Sequence, residues 1–184
     1  MSQIRVYPTR HAAITAAAEQ IVTAAEKANT TRGRFTIALS GGSTPRDLYR
    51  LLASDEYLNS IDWLNTHVFW GDERCVPLDS PENNARMARE SLLDHVPIPM
   101  DHIHRVQSGF PPEDAALDYE HVLRGYFTTR GMNEPRFDLL LLGIGADGHT
   151  ASLFPGTDAF YQSERWVVAN YVEKLDSWRV TLTP

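Results

Sequence analysis

Apolar residues in this chain gather into short blocks, separated by longer segments with helical spacing. Phe35–Ser40 (FTIALS), Thr66–Trp70 (THVFW) and Phe137–Leu142 (FDLLLL) read as strands. The third is apolar through Leu139–Leu142, the pattern of a strand buried on both faces. Ile4–Tyr7 and Ile103–Val106 are shorter strand candidates, with Trp166–Tyr171 and Arg179–Leu182 as later ones. Helices are expected over about His11–Lys27, which is Ala-rich, and over Arg46–Ala53, Glu82–His95 and about Pro112–Thr129. Strands alternating with helices, the inner strands apolar, predict an α/β fold with a mainly parallel sheet covered by helices on both faces. No repeat, low-complexity tract or linker interrupts the pattern, so residues 1–184 are expected to form a single domain. Arg179–Pro184 (RVTLTP) reads as a strand with no closing helix after it. Either a partner covers that edge or the sequence is cut short, and the second is expected.

Composition narrows the partners. A chain of 184 residues can bury a sizeable core. Its net charge of −7 argues against nucleic acid or an anionic membrane as main partner. Any anionic ligand must therefore be held by local arginines, lysines and backbone amides. Cys75 is the lone cysteine, so an intrachain disulfide is excluded. The segment MSQIRVYPTR lacks the apolar core of a signal peptide, and no run approaches the roughly 18 apolar residues of a membrane span. A cytoplasmic location is expected.

Three strand ends carry the candidate chemistry. After the first comes Ser40-Gly41-Gly42-Ser43-Thr44-Pro45. Thr44 suits the N-cap of the following helix, Pro45 its first turn, and Asp47 a variant capping box. Exposed amides at such a start bind phosphate or carboxylate; the plainer reading is a well-capped helix after a tight turn. After the second strand come Gly71-Asp72-Glu73-Arg74, three consecutive charges expected at a rim because burying them all is costly. Arg74 suits a two-pronged contact with phosphate or carboxylate, and Asp72 can orient it or a sugar hydroxyl. A solvated turn with an internal ion pair is the alternative. Asn83, Asn84 and Arg86 follow as further polar candidates, although Asn83 also suits a helix cap.

After the third strand, Gly143–Gly148 fits the Gly-x-Gly-x-x-Gly dinucleotide pattern, yet Pro155-Gly156 leaves only about two turns for the helix it needs. His149 is the sharper feature. A histidine just past the carboxyl end of a central strand, with Asp147 two residues away, can act as a general base near neutral pH. The remaining histidines are scattered; His102 and His104 suit one strand face, without a cysteine or carboxylate set nearby to complete a metal site. Lys174 and Arg179 flank Trp178 and either add positive charge to a phosphate pocket or are ordinary surface residues.

Taken in order, SGGSTP at Ser40–Pro45, WGDERCVP at Trp70–Pro77, NNARM at Asn83–Met87, GIGADGHTASLFPG at Gly143–Gly156 and RVTLT at Arg179–Thr183 resemble the 6-phosphogluconolactonase family. That family shares a superfamily with glucosamine-6-phosphate deaminase. The resemblance implies a Rossmann-like, doubly wound fold and hydrolysis of 6-phosphoglucono-δ-lactone to 6-phosphogluconate in the oxidative pentose phosphate pathway, with no metal or organic cofactor. It implies that His149 activates water, that Arg74 contacts the substrate's phosphate or carboxyl end, and that Gly41, Gly42, Ser43 and Thr44 form the sugar-phosphate turn. Asp72 and Asp147 are then expected to line the pocket. The implied partner is a small phosphosugar lactone; monomer and homodimer both stay open. The deaminases carry a glutamate five residues after the histidine, where this chain has Phe154, which counts against deamination. A sugar-phosphate-sensing module is the non-catalytic alternative, and no DNA-binding helix pair accompanies this sequence. The family continues past the RVTLT strand, so the intact protein is expected to be longer.

Overall fold

A computed structural model describes residues 3–184. Helix α1 (Arg10–Arg32) starts at Thr9, whose hydroxyl accepts the Ala12 N–H at 3.1 Å. The chain then forms strand β1 (Phe35–Leu39), helix α2 (Ser43–Leu52) and strand β2 (Thr66–Trp70). A short strand β3 (Asp72–Arg74) leads to helix α3 (Asn84–Ala88), which runs into a π-turn over Arg89–Leu93. Helix α4 (Pro112–Thr128) follows, with Pro112, Glu113 and Asp114 in a first turn suited to their fixed φ and negative charge. Strands β4 (Leu139–Leu140), β5 (Val167–Val172) and β6 (Ser177–Leu182) complete the elements that organise the site.

The parallel sheet has the order β2-β1-β4. Phe35 to Leu39 register against Thr66 to Trp70, and Ile37 and Ala38 against Leu139 and Leu140. Strand β1 is buried along its whole length because both faces are covered. Phe35, Ile37, Leu39, Val68 and Trp70 pack with α1, α2 and α3. Ala38 and Phe69, one residue out of step and so on the opposite face, pack with Ala115, Tyr119, Leu123 and Phe127 of α4 and with Val167 and Val180. The latter two valines belong to a second sheet, antiparallel and ordered β3-β6-β5. The α/β architecture with its parallel sheet is as expected; the antiparallel sheet is an addition that seats β3 beside the ends of the parallel strands.

Several expectations need correction. Ile4–Tyr7 is not a strand: no neighbouring chain pairs with it among the described residues, and Ile4 and Val6 are exposed. Ile103–Val106 reduces to one parallel bridge, Ile103 to Val68. The apolar run Phe137–Leu142 contributes only two ladder residues. Strand β4 is the edge of the described sheet, so Leu140 and Leu142 are exposed rather than buried on both faces. Helix α2 begins two residues earlier than Thr44 as N-cap predicts. Gly42, at φ 106°, occupies the N-cap, a backbone position that side chains rarely adopt. Asp47 pairs with Arg10 at 2.8 Å instead of closing a capping box.

Candidate active site

The loops after β1, β2 and β4 meet beyond the carboxyl ends of the parallel strands, where open α/β sheets hold ligands. Ser40, Gly41, Asp72, Arg74, Asn84 and His149 line one cleft there, of about 180 Å³, with the Gly143–Gly145 turn. Each wall is fixed from behind. The buried Tyr49 hydroxyl accepts the Ser40 N–H at 3.0 Å and donates to the Ser40 carbonyl at 2.8 Å, clamping the end of β1. Tyr119 treats Trp70 the same way at 2.8 and 3.0 Å, clamping the end of β2. Burial raises the pKa of both phenols, which stay neutral donors.

Asp72, Glu73 and Arg74 divide their tasks. Glu73 is fully buried, contrary to the expectation that all three charges sit at a rim. One of its oxygens accepts the backbone N–H groups of Arg74 and Asn84 at 2.8 and 2.7 Å, and the other accepts that of Ala85 at 2.8 Å. The start of α3 therefore satisfies the carboxylate, and the carboxylate ties α3 to β3. Burial outweighs these donors and pushes the Glu73 pKa up to about 7. Asp72 accepts the Ser152 hydroxyl at 2.7 Å, and its backbone carbonyl accepts Asn84 Nδ2 at 3.1 Å. Arg74 donates from Nη1 to the Glu82 carbonyl at 2.7 Å, while its buried Nε has no acceptor among the described residues. Arg179 lies opposite Arg74 in the β3–β6 register, and its Nε is likewise unanswered. Burial, then the Arg74 charge, lowers the Arg179 pKa. Two adjacent guanidiniums with unused donors favour an anion beside them.

His149 is held on three sides. Its Nδ1 lies 2.5 Å from Asp147 Oδ1, and its ring stacks on Phe154 with centroids 4.0 Å apart. Lys174 ion-pairs with the other oxygen of Asp147. The third side is Gly145, where a Cβ would overlap the imidazole. Gly41 serves Asn84 in the same manner, since a Cβ there would collide with the Asn84 amide. No long helix follows Gly148, so the dinucleotide pattern lacks the helix it requires.

Of the sequence candidates, Gly41, Asp72, Arg74 and His149 line the cleft. Asp147, Lys174 and Arg179 stand behind lining residues. Gly42, Ser43 and Thr44 lie at the exposed start of α2, just outside the cleft wall. Asn83 is turned away. Its Oδ1 accepts the Arg86 N–H at 2.8 Å and its Nδ2 donates to Ser108 at 2.9 Å, so its side chain is occupied in capping α3. Tyr49 and Ser152 escaped sequence reading because their roles depend on contacts with residues distant in the chain. Asn84 was visible only as one of two adjacent asparagines. Cys75 is half-buried, and burial pushes its thiol up to about 11, so it is a poor nucleophile.

An α/β frame with a histidine–aspartate pair and neighbouring arginines beside the strand ends suits base chemistry on an anionic ligand. The chain matches the family described as glucosamine-6-phosphate isomerases/6-phosphogluconolactonase over residues 8–184, and belongs to it. Within that family it resembles proteins named 6-phosphogluconolactonase. One from Synechocystis is 47% identical over 148 residues, 80% of this chain and 60% of the relative. One from Nostoc is 41% identical, covering 98% of this chain and 73% of the relative. The structure of 6-phosphogluconolactonase from Trypanosoma cruzi superposes with a TM-score of 0.88 at 34% identity, covering all of this chain and 75% of that one. The chain thus spans three-fifths to three-quarters of the length of these relatives.

Proposed function

We propose that this chain carries the catalytic centre for hydrolysis of 6-phosphoglucono-δ-lactone to 6-phosphogluconate. The contact that carries the reading is His149 Nδ1 on Asp147 at 2.5 Å. With Nδ1–H donated to the carboxylate, Nε2 is left with its lone pair as proton acceptor. Water held by Nε2 attacks C1, and its proton passes to His149 as the new C–O bond forms. Asp147 fixes the tautomer and stabilises the imidazolium, while Lys174 holds Asp147 in place. The developing oxyanion is met by the amide of Gly143 or Ile144, or by Arg74. Collapse expels the ring oxygen, which takes the proton back from His149 and leaves as the C5 hydroxyl.

The substrate's phosphate is assigned to the positive side of the cleft, between the open start of α2 at Ser43 and Thr44 and the guanidiniums of Arg74 and Arg179. Asp72 and Asn84 then face sugar hydroxyls. Nothing in this sequence of steps calls for a metal or organic cofactor. A general base of this type supplies about 10²–10⁴-fold, enough for a lactone that also opens spontaneously. Phe154 argues against the isomerase chemistry also named for the family. It is buried and stacked on His149, and a phenyl ring there cannot shuttle the proton that ring opening of an aldose requires.

No described helix is long and apolar enough to cross a membrane, and the reading is of an enzyme working on a dissolved substrate in the cytoplasm. The test is to offer the chain freshly generated 6-phosphogluconolactone and, separately, glucosamine 6-phosphate. Lactone loss above its spontaneous decay, without ammonia release from the amino sugar, is expected. Ammonia release with no effect on the lactone would replace this reading by the isomerase one.

A further inference from the structure

A second concavity, of about 340 Å³, shares no lining residue with the His149 cleft. Its floor is apolar: Trp70, Leu93 and Ile103 contribute, with Ala85 of α3, while the exposed Met100 stands at the rim. Arg86, Arg89 and Arg105 stand in its walls against a single carboxylate, Asp94. Arg86 is committed to Glu90 at 2.6 Å, and Arg89 is only loosely paired with Asp94 at 3.6 Å. Arg105 is exposed and makes no ion pair or side-chain hydrogen bond among the described residues. The whole chain carries a net charge of −7, so this local excess of guanidinium runs against its general sign.

The floor carries a second, independent signal. Trp70 is 1% exposed, yet its indole Nε1–H finds no acceptor among the described residues. An unanswered buried donor is costly, and Trp70 is among the residues that line this concavity. The volume falls in the range of small-molecule sites, which pair an apolar lining with a few placed polar groups.

We propose that this concavity is a second ligand site, for an aromatic ring bearing a phosphate or carboxylate. The ring lies on Trp70, Leu93 and Ile103, and the anionic group reaches Arg105 and Arg89. A sugar phosphate is a poor fit, since its hydroxyls would be desolvated against an apolar floor without partners. The site is therefore distinct in chemistry as well as place from the cleft that takes the lactone, and its occupancy does not depend on the catalytic reading.

Phenyl phosphate is a suitable probe, titrated by calorimetry and by the indole N–H resonances of the isotope-labelled chain. Saturable binding that shifts the Trp70 indole signal, identified with Trp70→Phe, is expected. Inorganic phosphate should bind at least about ten-fold more weakly, because it gains nothing from the floor. Arg105→Ala, at an exposed position where folding is not at stake, should weaken phenyl phosphate about ten-fold or more, the effect of losing one charge-assisted contact. Arg74→Ala should leave this binding unchanged. The proposal is overturned if phenyl phosphate does not bind at millimolar concentration, if inorganic phosphate binds equally well, or if binding is lost in Arg74→Ala but kept in Arg105→Ala.

Discussion

Gly145 shows how tightly single residues set this site. The imidazole of His149 occupies the space a Cβ at residue 145 would need, while Phe154 closes its other face. Gly145→Ala should therefore push the ring away from its stacked position without touching the core. Displacement of about 1 Å at a reacting group costs on the order of 10²-fold in rate. A steady-state assay should show that loss in kcat with an unchanged circular dichroism spectrum; full activity would mean the ring does not act from where it is seen. His149 and Arg74 were legible in the sequence because each is a chemically distinctive residue at the end of an apolar run. Glu73 was not. Three charges in a row suggested a rim, and only the fold reveals that three amides from Arg74, Asn84 and Ala85 converge on the middle one.

At the scale of elements, that same carboxylate is the joint between β3 and α3. Glu73→Ala would leave three amides without their acceptor, two of them at the buried start of a helix of only five residues. A loss of about 3 kcal/mol or more is expected in urea unfolding, at roughly 1–3 kcal/mol for each buried group left unsatisfied. Glu73→Gln keeps an acceptor oxygen and should cost distinctly less; equal losses would show that filling the space, not accepting the amides, is what matters. Elements with strong internal patterns were legible in advance. Strand β2 falls where THVFW predicts it, α4 matches its predicted span to one residue, and α1 runs past its predicted end by a few residues. Strand β4 and Ile4–Tyr7 were misread for one reason. Apolar character records a preference for burial, whereas a strand exists only where another strand supplies its ladder.

For the whole molecule, buried titratable groups pull stability in opposite directions with pH. Burial lowers His67 to about 3 and His104 to about 4, with their neighbour His102 adding to the effect. Their unfolded forms take up protons near pH 6.5 while the folded forms resist, so stability falls as pH drops from about 6.5 toward 4. Glu73 acts the other way. Raised from 4.5 to about 7, it holds its proton in the folded state where the unfolded chain has lost it, so its contribution declines as pH rises through that interval. Urea midpoints measured from pH 4 to 8 should rise between about 4.5 and 6.5, where two histidines oppose one carboxyl. In Glu73→Gln the rise should be steeper, and an identical profile in the two proteins would contradict the raised value.

The central claim is that His149, oriented by Asp147, is the base that opens a phosphosugar lactone, and one comparison tests it most directly. Lactone hydrolysis should be followed for the parent chain and for His149→Ala, with spontaneous decay subtracted and folding of both confirmed by near-ultraviolet circular dichroism. The account predicts a loss of about 10²–10⁴-fold in kcat, with KM little changed because the imidazole contributes to the transition state rather than to phosphate binding. Undiminished hydrolysis by a folded His149→Ala chain would contradict it.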